Sequence, residues 1–299
     1  MRIATLLPAA TEIVAALGAA DDLVAISHEC DYPAEVQHLP RITASPVDIA
    51  LSSARIDEDV RRLQRAGRPV IAVDATMLRD LAPDLLVTQG LCEVCAVADE
   101  QVMRLAAAMP VPPRVVTLAG RDLAGVLADI RALGTLLGRE LEADVLLAQS
   151  AARLERLRAT AAAEPIRVLC IEWTDPPYLA GHWVPDLVRL AGGVDVGARA
   201  GEHSRVVPWS DMRALAPDLV LVMLCGFGLT RARQELAAVD GPDALALLNE
   251  VPVWLLDGNA YTSRPGPRLV DAAERIHDAL HGVARDDGVS AWRGGVVAR

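Results

Sequence analysis

Two stretches 134 residues apart read almost alike: Leu81-Ala82-Pro83-Asp84-Leu85-Leu86-Val87 and Leu215-Ala216-Pro217-Asp218-Leu219-Val220-Leu221. Each is an apolar run of strand length entered through Ala-Pro-Asp. Each leads on to cysteine, to Cys92 and Cys95 in the first case and Cys225 in the second. A second β-like run follows each, 114–118 and 251–256. A chain that repeats one α/β unit in this way most simply builds two lobes facing each other across a cleft.

Around these repeats, short apolar runs alternate with segments of helical period, which argues for mostly parallel sheets covered on both faces. Strands are expected at 3–7, 23–27, 70–73, 85–88, 115–118, 167–171, 219–224 and 253–256. Helices are expected at 10–17, 57–66, 77–81, 97–108, 184–190 and 268–281. Between the repeats, 122–137 and 140–163 are helical in pattern and rich in good helix formers. The second would be about 35 Å long at 1.5 Å per residue, and reads as a rigid connector. The expected division is 1–121, an α/β lobe; 122–163, a helical segment holding the connector; 164–283, a second α/β lobe; and 284–299, a disordered tail.

Of 299 residues, 52% are hydrophobic, enough for two cores, yet only 3% are aromatic. All 29 fixed cations are arginines and the net charge is -11, which supplies no basic field for nucleic acid. No run reaches the roughly 18 apolar residues of a membrane span. No leader is visible before Ile3, so a cytoplasmic location is expected, or a periplasmic one if a leader was removed.

In parallel α/β sheets ligands bind beyond the carboxyl ends of the strands. Six of the nine aromatics stand on those turns: Tyr32, Trp173, Tyr178, Trp183, Phe227 and Tyr261. They suit a flat apolar ligand, or the plugging of a lobe interface. Cys30, Cys92, Cys95 and Cys225 follow strands in both halves. All four, or three of them with His28 or His182, make a candidate tetrahedral metal set; the other readings are a redox thiol at Cys92 and plain packing. Cys170, inside a strand, reads as packing. Glu172, Asp175 and Asp257 read as hydrogen-bonding acids, because no nucleophile motif stands beside them. Arg264-Pro265-Gly266-Pro267-Arg268 is a stiff turn whose arginines suit carboxylates. His38, His203, His277 and His281 read as solvated.

Ile3-Ala4-Thr5-Leu6-Leu7-Pro8-Ala9-Ala10-Thr11-Glu12, the Ala-Pro-Asp entries and the central helix resemble the class III periplasmic binding proteins for iron chelates and cobalamin, over about residues 2–282. His28 to Pro33, Leu91 to Cys95, Gly181 to Pro185, Asp257 to Tyr261 and Arg264 to Pro267 are similar to a leaderless branch labelled cobalamin-binding protein. The resemblance implies two Rossmann-like α/β lobes joined by a long backbone helix, and a binding protein rather than an enzyme. It implies cobalamin or a related metal chelate as ligand, and an ABC transporter permease as partner. Tyr32, Glu172, Trp173, His182, Trp183, Asn259, Tyr261 and Arg264 are then the candidate ligand contacts; His28, Cys30, Cys92, Cys95 and Cys225 are the candidate metal ligands. Transporter-linked members carry a glutamate on each lobe where this chain has Thr76 and Ser210. The competing reading is a cytoplasmic protein with a Cys/His site for zinc or iron, an enzyme or a metal chaperone.

Overall fold

The computed structural model describes residues 1–91, 97, 99–160 and 164–292. These divide into two compact units. The first comprises Met1–Leu51, Arg55–Gly120 and Ala124–Ala148; the second comprises Ser52–Ala54, Arg121–Leu123 and Gln149–Arg299.

In the order of the chain, the first unit contains β1 (Ile3–Thr5), α1 (Pro8–Ala16), β2 (Leu23–Ala25), β3 (Thr43–Ala44), α2 (Ser53–Arg65), whose first two residues belong to the second unit, β4 (Ala72–Val73), α3 (Ala75–Leu81), β5 (Leu85–Gln89), α4 (Asp99–Ala107), β6 (Arg114–Leu118) and α5 (Leu123–Leu137), whose first residue likewise belongs to the second. The next helix, α6 (Glu140–Ala159), belongs to the first unit up to Ala148 and to the second from Gln149. The second unit continues with β7 (Ile166–Thr174), β8 (Pro177–Leu179), α7 (Val184–Leu190), β9 (Gly193–Asp195), β10 (Arg205–Val206), α8 (Trp209–Ala214), β11 (Leu219–Val222), α9 (Leu229–Ala237), α10 (Pro242–Glu250), β12 (Val253–Leu256), α11 (Leu269–Leu280) and β13 (Val289–Trp292).

In the first unit a parallel sheet runs in the order β2-β1-β5-β6. Its central strand β5 is buried along its whole length, the pattern of a parallel strand covered on both faces. Helix α1 opens with Pro8, whose ring is pre-set for a first helical position. Ile13, Val14 and Leu17 of this segment pack with Ile3, Leu85 and Val87 of the sheet and Ile130 and Leu133 of α5. The second sheet has the order β10-β8-β7-β11-β12-β13, with β9 also on β7. Strands β7, β9, β11 and β12 are parallel, whereas β8, β10 and β13 add antiparallel edges.

The sequence repeat returns as repeated stereochemistry. Ala82 and Ala216 both adopt left-handed backbone, φ 41° and 47°. Asp84 Oδ2 accepts the backbone N–H of Arg2, and Asp84 N–H donates to Arg2 O, each at 2.8 Å. Asp218 makes the same pair with Arg167, at 3.0 and 2.8 Å. The two arginines return the bonds: Arg2 donates to Leu81 O and Arg167 to Leu215 O, both at 2.7 Å. The first strand of each unit is thus locked to the Ala-Pro-Asp entry of its neighbour. Left-handed backbone costs an L-residue about 1–2 kcal/mol. Ala82→Gly and Ala216→Gly are therefore expected to stabilise the protein by about 0.5–1 kcal/mol each, after the added entropy of the unfolded glycine is deducted. Urea unfolding of each variant checks this; a lowered midpoint would refute the strain.

One expectation fails here. The stretch 284–292 carries β13, paired antiparallel with β12 from Val253↔Trp292 to Leu256↔Val289, and Val289 is fully buried. A strand of four residues shows no periodicity of its own and exists because β12 offers it an edge. Residues 293–299 lie outside the described residues. The helical stretch at 122–163 is divided between the units, since α5 packs into the first core.

Candidate functional site

Both sheets have a switch point where the chain, having gone one way from its first strand, returns on the other side. In the first unit it lies between β1 and β5, in the second between β7 and β11. Ligands of open α/β sheets bind beyond the carboxyl ends at such points.

At the first switch point the side chains are small and polar. Thr5 and Thr11 share a hydroxyl hydrogen bond of 2.6 Å, and Thr11 Oγ1 lies 3.0 Å from Cys30 Sγ. Cys30 is only 3% exposed. His28 Nδ1 lies 2.7 Å from Thr43 Oγ1, which also meets Ser27 Oγ at 3.0 Å. Arg41 donates to the carbonyls of Ser27 and Cys30 and holds this turn. Burial, and secondarily the Arg41 charge, push the His28 pKa below its ordinary value, so the neutral ring is favoured.

At the second switch point the side chains are aromatic and charged. Trp173, ending β7, packs on Phe227, just past β11, with ring centroids 5.2 Å apart. The Arg231 guanidinium sits 5.1 Å over the Phe227 ring and pairs with Glu235 at 2.6 Å. An aromatic face under a cation is a favourable arrangement. Trp173 Nε1 donates to Asp175 O at 3.1 Å, with Ser53 O also within reach at 3.3 Å. Glu235 accepts the Ser53 N–H at 3.0 Å, and Ser53 Oγ meets Thr174 Oγ1 at 3.0 Å.

Beside this group lies an open pocket of about 620 Å³, lined by residues 228–231, Asp257, Ala260, Tyr261 and 286–288. The start of α9 borders it, and Asp257 accepts the Ala260 N–H at 2.8 Å. Tyr261 donates to Asp287 O at 2.6 Å, under the Arg275 guanidinium. Asn259 Oδ1 accepts from the buried Arg264 at 2.9 Å.

A family model described as periplasmic binding protein matches residues 3–241. The chain belongs to that family. A vitamin B12-binding protein of Vibrio cholerae serotype O1 is 25% identical over 288 residues, covering 92% of this chain and 87% of that one. A solved periplasmic heme-binding protein from Pseudomonas aeruginosa superposes with a TM-score of 0.70, at 19% identity, over 98% of this chain and 95% of its own. A solved periplasmic vitamin B12-binding protein of Vibrio cholerae does so with a TM-score of 0.64, at 22% identity, over 94% and 96%. The class III fold expected from residues 3–12 and the Ala-Pro-Asp entries is therefore present, at identities that show the fold alone. The family's description as periplasmic does not support the cytoplasmic expectation. Among the described residues no helix is long and apolar enough to cross a membrane.

Within this family member the sequence candidates fare unequally. Trp173 packs on Phe227, a pairing the sequence does not show, and Glu172 precedes it on β7, half-buried. Trp183 is 6% exposed and donates from Nε1 to Thr262 O at 2.9 Å, so its indole is bound into its own unit. Tyr261 and Arg264 likewise hold neighbouring segments. Tyr32 is 48% exposed. His28 and Cys30 lie in the first unit and Cys225, half-buried, in the second. Cys92 and Cys95 lie outside the described residues. Among the described residues no three His, Cys, Asp or Glu side chains group as metal ligands.

Sequence reasoning missed Ser53, Arg231, Glu235 and Asp287. Nothing local marks them; Ser53 is 182 residues from Glu235. His203 is exposed, as the sequence suggests, and its ring also meets His182, Nδ1 to Nε2 at 3.3 Å, a pairing the sequence does not show. Burial first, then His203 and Arg121, pull the His182 pKa down to about 4.

Proposed function

We propose that this chain is a substrate-binding protein for a metal chelate of the cobalamin, heme or iron-chelate class, with a corrinoid as the first candidate. Three supports converge. The family is one of binding proteins, a relative along most of the chain is named for vitamin B12, and solved proteins of the same fold are named for B12 and heme. The observation that carries the reading is the Trp173–Phe227 pair under Arg231 at the β7/β11 switch point. Flat macrocycles with acidic or amide side groups need an apolar face and a cation at its margin. In a chain with nine aromatics, two adjoining rings at a strand end are a disproportionate investment in one place.

In the first unit, burial and the Arg41 charge hold the His28 pKa below its ordinary value, which favours a ring with a free lone pair. Thr76 and Ser210 each stand second in the helix that precedes an Ala-Pro-Asp entry, and both are exposed. They offer no carboxylate to a transporter arginine. This reading has the chain bind its chelate without an acidic docking pair on α3 and α8.

The test is titration of ligand-free protein with cyanocobalamin and with hemin, followed by absorbance and by calorimetry. Saturable one-to-one binding of at least one of them is expected. Burial of a large ring is worth about 1.5–3 kcal/mol, so Trp173→Ala is expected to weaken that binding about tenfold or more. Absence of saturation with either compound would overturn the proposal.

A further inference from the structure

His182 and His203 form a prepared pair that the chelate-binding reading does not use. Three features fix their separation. Gly181 has no Cβ where one would come 2.5 Å from Glu202 O and 2.7 Å from Ser204 N, so the two loops lie backbone against backbone. His182 N–H donates to Glu202 O at 2.6 Å, and Gly201 N–H donates to His182 O at 2.9 Å. His182 itself holds φ 54°, a left-handed conformation that a side chain other than glycine adopts at a cost. The result is two imidazoles edge to face, 89° apart, with Nε2 of one 3.3 Å from Nδ1 of the other.

That separation has a chemical meaning. Imidazole nitrogens bind zinc at 2.0–2.1 Å, and tetrahedral geometry then places two of them about 3.3–3.4 Å apart. The pair already has the bite of a two-histidine chelate. We propose that His182 and His203 form a binding site for a divalent transition metal ion of the zinc, nickel or copper class, held by Nε2 of His182 and Nδ1 of His203.

Without a metal, one ring donates its N–H to the lone pair of the other. A metal needs both lone pairs, so the donating ring moves its proton to its other nitrogen, with no net proton lost. Imidazole suits these ions better than it suits magnesium or calcium. Two ligands leave the remaining positions to water or to donor atoms of a bound small molecule. The Arg121 charge, close enough to act on His182, favours an anionic donor there.

The experiment uses the full chain without an affinity tag, stripped with a chelator and titrated with zinc against a chromogenic competitor. One equivalent is expected to bind. His203→Gln, on an exposed loop, is expected to weaken binding at least tenfold with the melting temperature unchanged. His182→Gln should do the same, and its left-handed backbone makes His203 the primary test. A second, reagent-based readout needs no variant: modification of His203 by diethyl pyrocarbonate, followed by mass spectrometry, should be suppressed by zinc. The pair His277 and His281 on α11, whose rings lie 4.1 Å apart, is the internal control. His277→Ala with His281→Ala should leave zinc binding intact. No saturable zinc binding by the parent chain, unchanged binding in His203→Gln, or loss in the α11 double variant would each overturn the proposal.

Discussion

Gly258→Ala is expected to destabilise the protein by about 3 kcal/mol or more and to disorganise the pocket of the second unit. The added Cβ would stand 2.1 Å from Leu224 O, 2.8 Å from Leu224 C and 2.9 Å from Met223 C. These are backbone atoms, so no side-chain rotation relieves the overlap. Overpacking in a filled core costs about 1–3 kcal/mol, and more where the backbone must move. The clash falls where Leu224, just beyond β11, lies against the turn that follows β12. That turn sets Asp257, whose side chain accepts Ala260 N–H; Asn259, held by Arg264; and Tyr261, which anchors 287. Separating Leu224 from Gly258 moves all three. Urea unfolding and ligand titration of the variant are the measurements. A variant as stable as the parent would show that the two segments do not approach this closely.

Asp195→Asn is expected to stabilise the protein above pH 7 by about 3 kcal/mol and to have little effect near pH 4. Asp195 ends β9 beside β7, and its Oδ1 accepts the N–H groups of Gly197 at 2.8 Å and Ala198 at 3.1 Å. Its Oδ2 is buried without a hydrogen bond of good geometry, next to the Cys170 thiol. Burial raises the Asp195 pKa from 3.8 to about 6, against the opposing pull of the two backbone donors. Burial, helped by the Asp195 charge, pushes the Cys170 thiol up as well, so that it stays protonated.

The sign follows from linkage. A carboxyl with a raised folded-state pKa binds its proton more tightly in the folded than in the unfolded chain. Stability is fully present below about pH 4, falls as pH rises through about 6, and stays low thereafter. A difference of about two units corresponds to about 3 kcal/mol. Asparagine keeps the Oδ1 acceptor and removes the charge. Melting temperatures of the two proteins should diverge between pH 4 and 6 and then run parallel. Equal curves across that range would place Asp195 in a more solvated setting than the structure gives it.

How far the sequence reaches can be judged residue by residue. The Ala-Pro-Asp entries were legible because their cause is local. A proline without an N–H and an aspartate that accepts from the neighbouring strand mark the starts of β5 and β11. The apolar runs 85–88 and 219–224 identify buried parallel strands by length and composition, and α7 and β12 fall where periodicity puts them. The carboxyl-end turns were legible for the same reason, and with them Trp173 and Phe227 as a ring-bearing edge. The role of each cysteine was not. A cysteine that packs, as Cys30 does under Thr11, and one that ligates look the same in a sequence. Only burial and neighbours separate them.

The sequence by itself therefore determined the duplicated α/β architecture, the family, and which turns carry rings and charges, because near-neighbour stereochemistry and hydrophobic pattern govern those choices. Tertiary structure alone decided which of those groups meet. Ser53 with Glu235, His182 with His203, Phe227 under Arg231 and β13 on β12 are joined by strand order and chain closure. Partners brought together across a fold are chosen by its topology, which no single segment encodes.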